Sequence, residues 1–411
     1  MQLLETTLLN LVNYPSLVAT NASRMRLAAG PDKTLLEFGL RRAQGPDGGL
    51  SASKYAYIGG FDGTSHVLAG KLFGITVKGT HAHSFVMSYT GFENLTSTTI
   101  ASASDPTVQV EFVELVLQKR KIMNFENTNN SELAAFIAYA QSFPRGVVAL
   151  VDTYDTLSSG VPNFMCVGWA LHELGYKPIG IRLDSGDLAY LSTQARKLFV
   201  EVDAKFVKGT LFGTCNIAAS NDINEEVLLS LNRQGHEINT FGIGTHLVTC
   251  QLQPALGCVF KLVEINGLPR IKLSQEAEKL VIPGKKKIFR LFGKDKHCLV
   301  DLMQLESEPD PVAGQKILVR DPFVESKRAH VIPDKVEKLL SLAFDGEIPF
   351  GGVVPTSIAE AKATCKSDLE LMRPDHIRPL NPTPYKVSVS QNLYDYMHQL
   401  WMKEAPIADL V

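Results

Sequence analysis

Val147-Val-Ala-Leu-Val151, closed by Asp152-Thr-Tyr-Asp155, opens the stretch that decides the fold. Such an apolar run is too short for a helix and suits a strand buried on both faces. A helix follows over 163–174, then the strand Pro178-Ile-Gly-Ile181. Leu188, Leu191, Ala195 and Leu198 form a helical stripe, and Asn216-Ile-Ala-Ala219 is the next strand. A helix over 222–233 leads to the strand Ile238-Asn-Thr-Phe241. Strand and helix alternate with a period of about 30 residues, the signature of βα units around a parallel sheet or barrel.

Upstream, a short helix over 66–73 precedes a strand at Gly74-Ile-Thr-Val-Lys78. Amphipathic helices are predicted over 108–122 and 131–142, after a Ser/Thr/Asn-rich surface loop at 91–107. Gly45-Pro-Asp-Gly-Gly49 reads as a loop. The N-terminal helix puts Leu4, Leu8, Leu11 and Val12 on one face, and Pro15 interrupts it. After Cys250 the texture changes. Val259–Ile265, Gly267-Leu-Pro, Arg270–Leu273 and Lys287–Phe292 read as short strands of an antiparallel sheet, with helices near 335–343, 357–371 and 390–403. The expected architecture is an α/β fold: an irregular α/β barrel over 1–250, its first part open to sharing with a second, β-rich α+β domain over 251–411.

With 411 residues the chain suits about two domains. Lys plus Arg number 41 against 43 Asp plus Glu, so a net charge of −2 offers no bulk reason to expect nucleic acid or an anionic membrane. None of the six cysteines forms a C-x-x-C, which points to reduced thiols and the cytosol rather than a disulfide framework. The N-terminus lacks the basic region of a signal peptide, and no apolar run reaches the length of a membrane span.

In parallel sheets and barrels, ligands bind beyond the carboxyl ends of the strands. Each predicted strand here ends in polar or backbone-permissive residues: Gly79-Thr-His-Ala-His-Ser84, Asp152-Thr-Tyr-Asp155, Arg182-Leu-Asp-Ser-Gly-Asp187, Ser220-Asn-Asp222 and Gly242-Ile-Gly-Thr245. One such cluster means only a turn; five favour a shared site. Bland readings stand beside this. Asp187, Ser220 or Asn221 serves equally as a helix cap. Gly242-x-Gly244 marks many turns, though the strand before it and Thr245 after it suit a phosphate cradle. His81 and His83, on one side of an extended segment, read as a metal pair or as packed histidines. Glu37, Arg41 and Arg42 fall on an apparent helix, with Arg41 as an anion clamp and Arg42 as solvated. G-x-S-x-G, H-E-x-x-H, Walker A and G-x-G-x-x-G motifs are absent.

At these residues the chain resembles the nicotinate phosphoribosyltransferases of the animal type. The matching motifs are Leu36-Glu-Phe-Gly-Leu-Arg-Arg-Ala-Gln-Gly-Pro-Asp-Gly-Gly49, Gly79-Thr-His-Ala-His-Ser-Phe85, Arg182-Leu-Asp-Ser-Gly-Asp-Leu188, Ser220-Asn-Asp-Ile-Asn-Glu-Glu226 and Phe241-Gly-Ile-Gly-Thr245. The resemblance implies a type II phosphoribosyltransferase-like barrel, a homodimer with sites at the subunit interface, Mg²⁺, and ATP as cosubstrate. It implies that nicotinate and phosphoribosyl pyrophosphate become nicotinate mononucleotide, in NAD synthesis, through a phosphohistidine at His83. Ser84 or Asp184 then orients that ring, with Asp184 a catalytic partner. Thr80 and Arg182 map onto nicotinate contacts and Thr245 onto a phosphoribosyl contact. Arg41, Asp152, Ser220, Asn221, Gly242 and Gly244 complete the expected substrate-binding set, and Asp187 is the candidate for Mg²⁺, through water.

Two departures stand against the family pattern. The family begins with a further N-terminal segment carrying a Tyr that stacks on the pyridine ring of the partner subunit's site, and Val207–Thr214 differs from the pattern. Two alternatives arise from them: a catalytically impaired chain acting only as a dimer partner, and a nicotinamide phosphoribosyltransferase, which competition between acid and amide separates.

Overall fold

The computed structural model describes residues 2–273, 281–342 and 356–405. Its contacts divide into two compact units, Tyr14–Pro254 and Met1–Asn13 with Ala255–Val411.

The first unit is built on parallel strands. They are β1 (Thr34–Glu37) and β2 (Gly63–Thr64), then, after the antiparallel hairpin β3 (Thr99–Ala101) and β4 (Gln109–Glu111), β5 (Val148–Leu150), β6 (Gly180–Leu183), β7 (Asn216–Ala219) and β8 (Thr240–Ile243). The sheet order is β2-β1-β8-β7-β6-β5, every pairing parallel. A parallel bridge from Thr64 to Val77 extends the β2 end. Leu35, Ala149, Ile181, Ile217 and Phe241 are fully buried, as strands covered on both faces must be. The helices Asn130–Ser142, Val161–Glu173, Leu188–Val202 and Glu225–Gln234 cover the sheet in the predicted places.

Several expectations fail, for identifiable reasons. β1 lies where a helix was expected, so Glu37 ends a strand and Arg41 and Arg42 sit in the short 3₁₀ turn Leu40–Arg42. Gly74–Lys78 supplies only the bridge to Thr64. Gly45–Gly49 is not a loop but the first turns of a helix over Gly45–Ile58, where proline is tolerated because the first-turn N–H groups have no intrahelical acceptor. The helix Gln2–Ala29 runs through Pro15. Burial of Leu17, Val18, Ala22 and Met25 just beyond it offsets the lost hydrogen bond and ring clash, worth about 3 kcal/mol. The hairpin β3–β4 occupies part of the expected surface loop. In the divergent segment before β7, the buried Asp203 carboxylate accepts the N–H groups of Leu211, Phe212 and Gly213 at 2.8–3.0 Å.

The second unit carries the short pair β9 (Glu264–Ile265) and β10 (Leu268–Pro269), then β11 (Lys286–Phe292), β12 (Cys298–Leu305), β13 (Ile317–Arg320), β14 (Arg328–Val331), β15 (Lys335–Lys338) and β16 (Val387–Ser390). β11–β16 form one mixed sheet in the order β14-β13-β16-β12-β11-β15, with only β12–β16 parallel. Phe289, Leu291, Val300, Leu302 and Val319 pack one face, and Val389 packs with Leu393 and Tyr394 of the helix Gln391–Glu404. The helix expected at 335–343 is instead strand β15, with Val336 opposite Leu291; residue 343 lies outside the described residues. Arg270–Leu273 forms no strand, and only the end of Val259–Ile265 pairs.

One buried carboxyl makes the first unit's stability pH-dependent. Glu132 is fully buried; its Oε2 accepts from Ser159 Oγ at 2.6 Å and Asn163 Nδ2 at 3.0 Å, while Oε1 has no partner. Burial pushes its pKa up to about 7, against those two hydrogen bonds and with help from Asp152 and Asp155. A raised carboxyl binds its proton more tightly folded than unfolded. Its contribution is therefore complete below the unfolded value and is lost as pH rises through about 7. Glu132→Gln mimics the protonated form. It is expected to match the parent near pH 5 and to exceed it near pH 8 by about 1–3 kcal/mol in urea unfolding; an unchanged difference between the two pH values would contradict a buried proton.

Candidate active site

The site grows from the carboxyl end of β6. Alternation along this strand buries Ile181 and Leu183 and turns Arg182 to the other face. The Arg182 guanidinium then joins three segments of the chain. Its Nε donates to Ser220 Oγ at 2.8 Å, Nη1 to Thr80 Oγ1 at 2.9 Å and Nη2 to Asp184 Oδ1 at 3.1 Å. Ser220 also donates to Asp184. Burial pulls the Asp184 carboxyl upward, but the Ser220 hydroxyl, the Arg182 guanidinium and His83 together hold it below its ordinary value. Asp184 is therefore ionised at neutral pH.

Asp152 follows β5 and sits almost fully enclosed. Its Oδ2 accepts the Asp184 N–H at 3.0 Å and the Ser185 hydroxyl, and its Oδ1 has no hydrogen-bond partner. His83 stands beside both carboxylates. Its Nε2 lies 3.5 Å from Asp184 Oδ2 and 3.8 Å from Asp152 Oδ1, while Nδ1 is 3.1 Å from Thr153 Oγ1. Thr153, not Ser84, holds the ring at Nδ1, and Ser84 is exposed. With Nδ1 engaged, Nε2 is the nitrogen presented to the acidic side of the site.

Arg182, Asp184, Ser220 and Asn221 also line a cavity of about 180 Å³ with Arg41, Arg42 and Asp222. Gly242, Gly244 and Thr245 line it too, and Phe38 adds an apolar surface. Neither Arg41 nor Arg42 has an ion-pair partner among the described residues, which leaves both free for an anion. The Phe38 ring lies 5.4 Å from the Arg182 guanidinium carbon. A Cβ at position 242 would overlap that ring, so glycine is required there by close approach and not by turn geometry. Asn221 and Asp222 both hold positive φ, 99° and 46°, in a left-handed kink at the end of β7. Strain of this kind persists where the surroundings over-determine it, commonly at ligand sites.

Most of the expected residues therefore meet. Thr80, His83, Asp152, Arg182, Asp184 and Ser220 share one polar network, and Arg41, Asn221, Gly242, Gly244 and Thr245 line the cavity it borders. Asp187 stands apart: it is exposed and caps the helix Leu188–Val202 by accepting the Tyr190 N–H at 3.0 Å. Asn224, rather than Ser220 or Asn221, caps the helix Glu225–Gln234. His81 and His83 turn to different partners, so they are no metal pair, and among the described residues no three His, Cys, Asp or Glu side chains gather around a metal position. Phe38, Thr153 and Asp222 carried no expectation from the sequence, and Arg42, expected to be only solvated, lines the cavity; each lies inside or beside a quoted cluster.

Behind the arginines is Glu37, 1% exposed at the end of β1. It accepts from the Gly39 N–H, from Ser53 Oγ at 2.8 Å and from Thr64 Oγ1 at 2.6 Å. These three donors make a buried carboxylate tolerable and fix the turn that carries Arg41 and Arg42.

Comparison with known proteins points to one family. A family model described as the nicotinate phosphoribosyltransferase C-terminal domain matches residues 285–397. Nicotinate phosphoribosyltransferase 1 of Arabidopsis thaliana is 55% identical over 417 residues, spanning 100% of this chain and 74% of that protein. Nicotinate phosphoribosyltransferase of Homo sapiens is 45% identical, over 98% of this chain and 76% of its own length. The crystal structure of human nicotinic acid phosphoribosyltransferase superposes with a TM-score of 0.84 at 42% identity, over 97% of this chain and 77% of that one. Nicotinate-nucleotide pyrophosphorylase from Pyrococcus furiosus superposes with a TM-score of 0.57 at 20% identity, which speaks for the fold alone.

Proposed function

Because the chain belongs to the nicotinate phosphoribosyltransferase family, we propose that it joins nicotinate to phosphoribosyl pyrophosphate, coupled to ATP, releasing nicotinate mononucleotide and pyrophosphate. The observation that carries this reading is one cavity lined by Arg41, Arg42 and Arg182 against Asp184 and Asp222, with His83 Nε2 3.5 Å from Asp184. Cations for phosphate and carboxylate, carboxylates for ribose hydroxyls and a nucleophilic ring nitrogen are then within one site.

Arg182 spends three of its five N–H groups on the protein, which leaves two for the nicotinate carboxylate. Thr80 borders that position, and Phe38 supplies a flat face for a planar ring. Gly242, Gly244 and Thr245 receive the ribose phosphate, while Arg41 and Arg42 face the pyrophosphate. Phosphoribosyl transfer builds positive charge on the ribose as pyrophosphate leaves, so these residues act by positioning and by matching charge. ATP phosphorylates His83 at Nε2, with Thr153 holding the ring and ADP leaving; water then cleaves the phosphorus–nitrogen bond, releasing phosphate and restoring the free histidine.

Mg²⁺ fits the donor set. Asp152 Oδ1 is buried without a partner and Asp184 beside it is ionised, whereas Asp187 stays with its helix cap. Mg²⁺ takes few protein carboxylates and keeps water and substrate phosphates as its other ligands, so the want of a protein cage does not count against it. When bound, it would neutralise the pyrophosphate. We further propose a cytosolic homodimer. What supports the first is that no two of the six cysteines form a C-x-x-C and that, among the described residues, no helix is long and apolar enough to cross a membrane; what supports the second is the family's assembly.

The test is turnover of the purified chain with phosphoribosyl pyrophosphate and ATP. Nicotinate is expected to be used with kcat/KM about 10- to 100-fold above nicotinamide, the value of one charge-assisted hydrogen-bonded pair. Equal use of the amide, or no use of the acid, would overturn the reading.

A further inference from the structure

We propose that His81 is a positioning residue, a side-chain latch that docks the strap Gly79–Ala82 onto the open edge of β5 and so sets Thr80 and His83 in the site. The proposal rests on the reading of Thr80 and His83 as site residues.

The backbone ladder of the parallel sheet has two ends. One is β5. The other is the Thr64–Val77 bridge beyond β2, where Thr64 N–H donates to Thr76 at 3.0 Å and Lys78 N–H to Thr64 at 2.9 Å. On either side of β5, Val151 N–H donates to the Arg182 carbonyl and the Val147 carbonyl accepts from Ile179 N–H. Alternation then turns the Leu150 N–H away from β6, toward the free edge. Leu150 is 1% exposed, so this amide has no water to bind and is costly to leave unpaired.

His81 Nε2 accepts that N–H at 3.1 Å. The imidazole thus takes the place of a strand partner for this amide. A backbone pairing there would conflict with the chain path. Within two residues the strap must deliver Thr80 to Arg182 Nη1 and start the helix His83–Met87. A side chain reaches the edge while the backbone turns away.

The ring's surroundings favour this role. Tyr139, Phe85 and Phe136 lie 4.9, 5.4 and 6.0 Å from it, centroid to centroid. Burial, followed by the nearby charges of Arg182 and His83, pushes its pKa down to about 4 against the Ala82 carbonyl. A neutral ring keeps a lone pair at Nε2 with the proton at Nδ1, on the side of the Ala82 carbonyl, 3.5 Å away. The Thr80 hydroxyl donates to the His81 carbonyl at 3.1 Å, so the latch and the Thr80–Arg182 contact share one backbone unit.

Two substitutions separate the acceptor from the packing. His81→Phe keeps an aromatic ring and removes the acceptor; His81→Gln places an amide oxygen at a similar reach. In His81→Phe the Leu150 amide is expected to exchange with deuterium about tenfold faster. The same variant should lose about tenfold or more in kcat/KM for nicotinate, since small misplacement of reacting groups costs this much or more. His81→Gln should restore both. Unchanged exchange at Leu150 in His81→Phe overturns the latch, and faster exchange with full kcat/KM overturns its positioning role. If His81→Phe melts too low to assay, His81→Gln decides: a protected Leu150 with retained turnover upholds the latch, and an exposed Leu150 with full turnover overturns it. If the parent chain proves inactive on nicotinate, the substrate reading falls. Exchange at Leu150 and across 79–83 still judges the latch by the same outcomes.

Discussion

His83→Ala is expected to leave a chain that ATP cannot phosphorylate. Incubation with labelled ATP should put acid-labile phosphate on the parent and none on this variant, with ATP hydrolysis down by on the order of a thousandfold or more. The reason is geometric. His83 Nδ1 is held by Thr153 Oγ1 at 3.1 Å, so Nε2 faces Asp184 and Asp152 at 3.5 and 3.8 Å. No other imidazole among the described residues shares this position, since His81 turns its Nε2 to the Leu150 amide. Phosphoribosyl transfer should persist at a reduced level in His83→Ala, because Arg41, Arg42 and Arg182 remain. His81→Phe should slow labelling yet reach the parent's stoichiometry, since the accepting nitrogen is untouched. Equal final loss of label from both histidine variants would refute the assignment.

Arg182→Lys should lower kcat/KM for nicotinate by about 100- to 1,000-fold, or about 3–4 kcal/mol. A lysine keeps the charge but has one nitrogen. It cannot hold Ser220, Thr80 and Asp184 at 2.8, 2.9 and 3.1 Å and still meet a carboxylate in two-pronged fashion. The loss should fall on nicotinate kinetics far more than on the affinity for phosphoribosyl pyrophosphate, for which the proposal assigns Arg41, Arg42 and the Gly242–Thr245 turn. A variant within fivefold of the parent on both substrates would show that charge alone suffices (about 1 kcal/mol). Asp184 is a useful control. Held below its ordinary value, its carboxylate keeps its charge until the pH falls well into the acid range, so it adds no limb to a pH–rate profile near neutrality.

The strand ends were legible because buried parallel strands are short apolar runs and the residues just beyond them are polar. Asn216–Ala219 matches β7 residue for residue, and Val147–Val151 brackets β5. β1 escaped for the opposite reason. Thr34-Leu-Leu-Glu37 ends in a carboxylate, and a buried charge is acceptable only with donors that sequence neighbours do not supply. Two of its donors, Ser53 and Thr64, lie 16 and 27 residues away. Phe38, Arg42, Thr153 and Asp222 stood within the polar clusters or beside them, yet side-chain type alone does not say which way a residue after a strand will point. In the second unit, β12 alternates buried and partly exposed positions along all eight residues, a period-two pattern that was open to reading. β15 is only four residues long, too short for its pattern to exclude a helix.

The sequence by itself determined the alternation of strand and helix, the carboxyl-end clusters and the family to which they belong, because each depends on residue type and spacing along the chain. Only the tertiary structure decided that Thr153 holds His83, that Asp187 serves its helix, that Glu37 is buried behind the arginines and that His81 spans the open edge of β5. Those facts depend on hydrogen bonds and burial between residues up to about 70 positions apart, and a donor's partner is chosen by the folded path rather than by its neighbours in sequence.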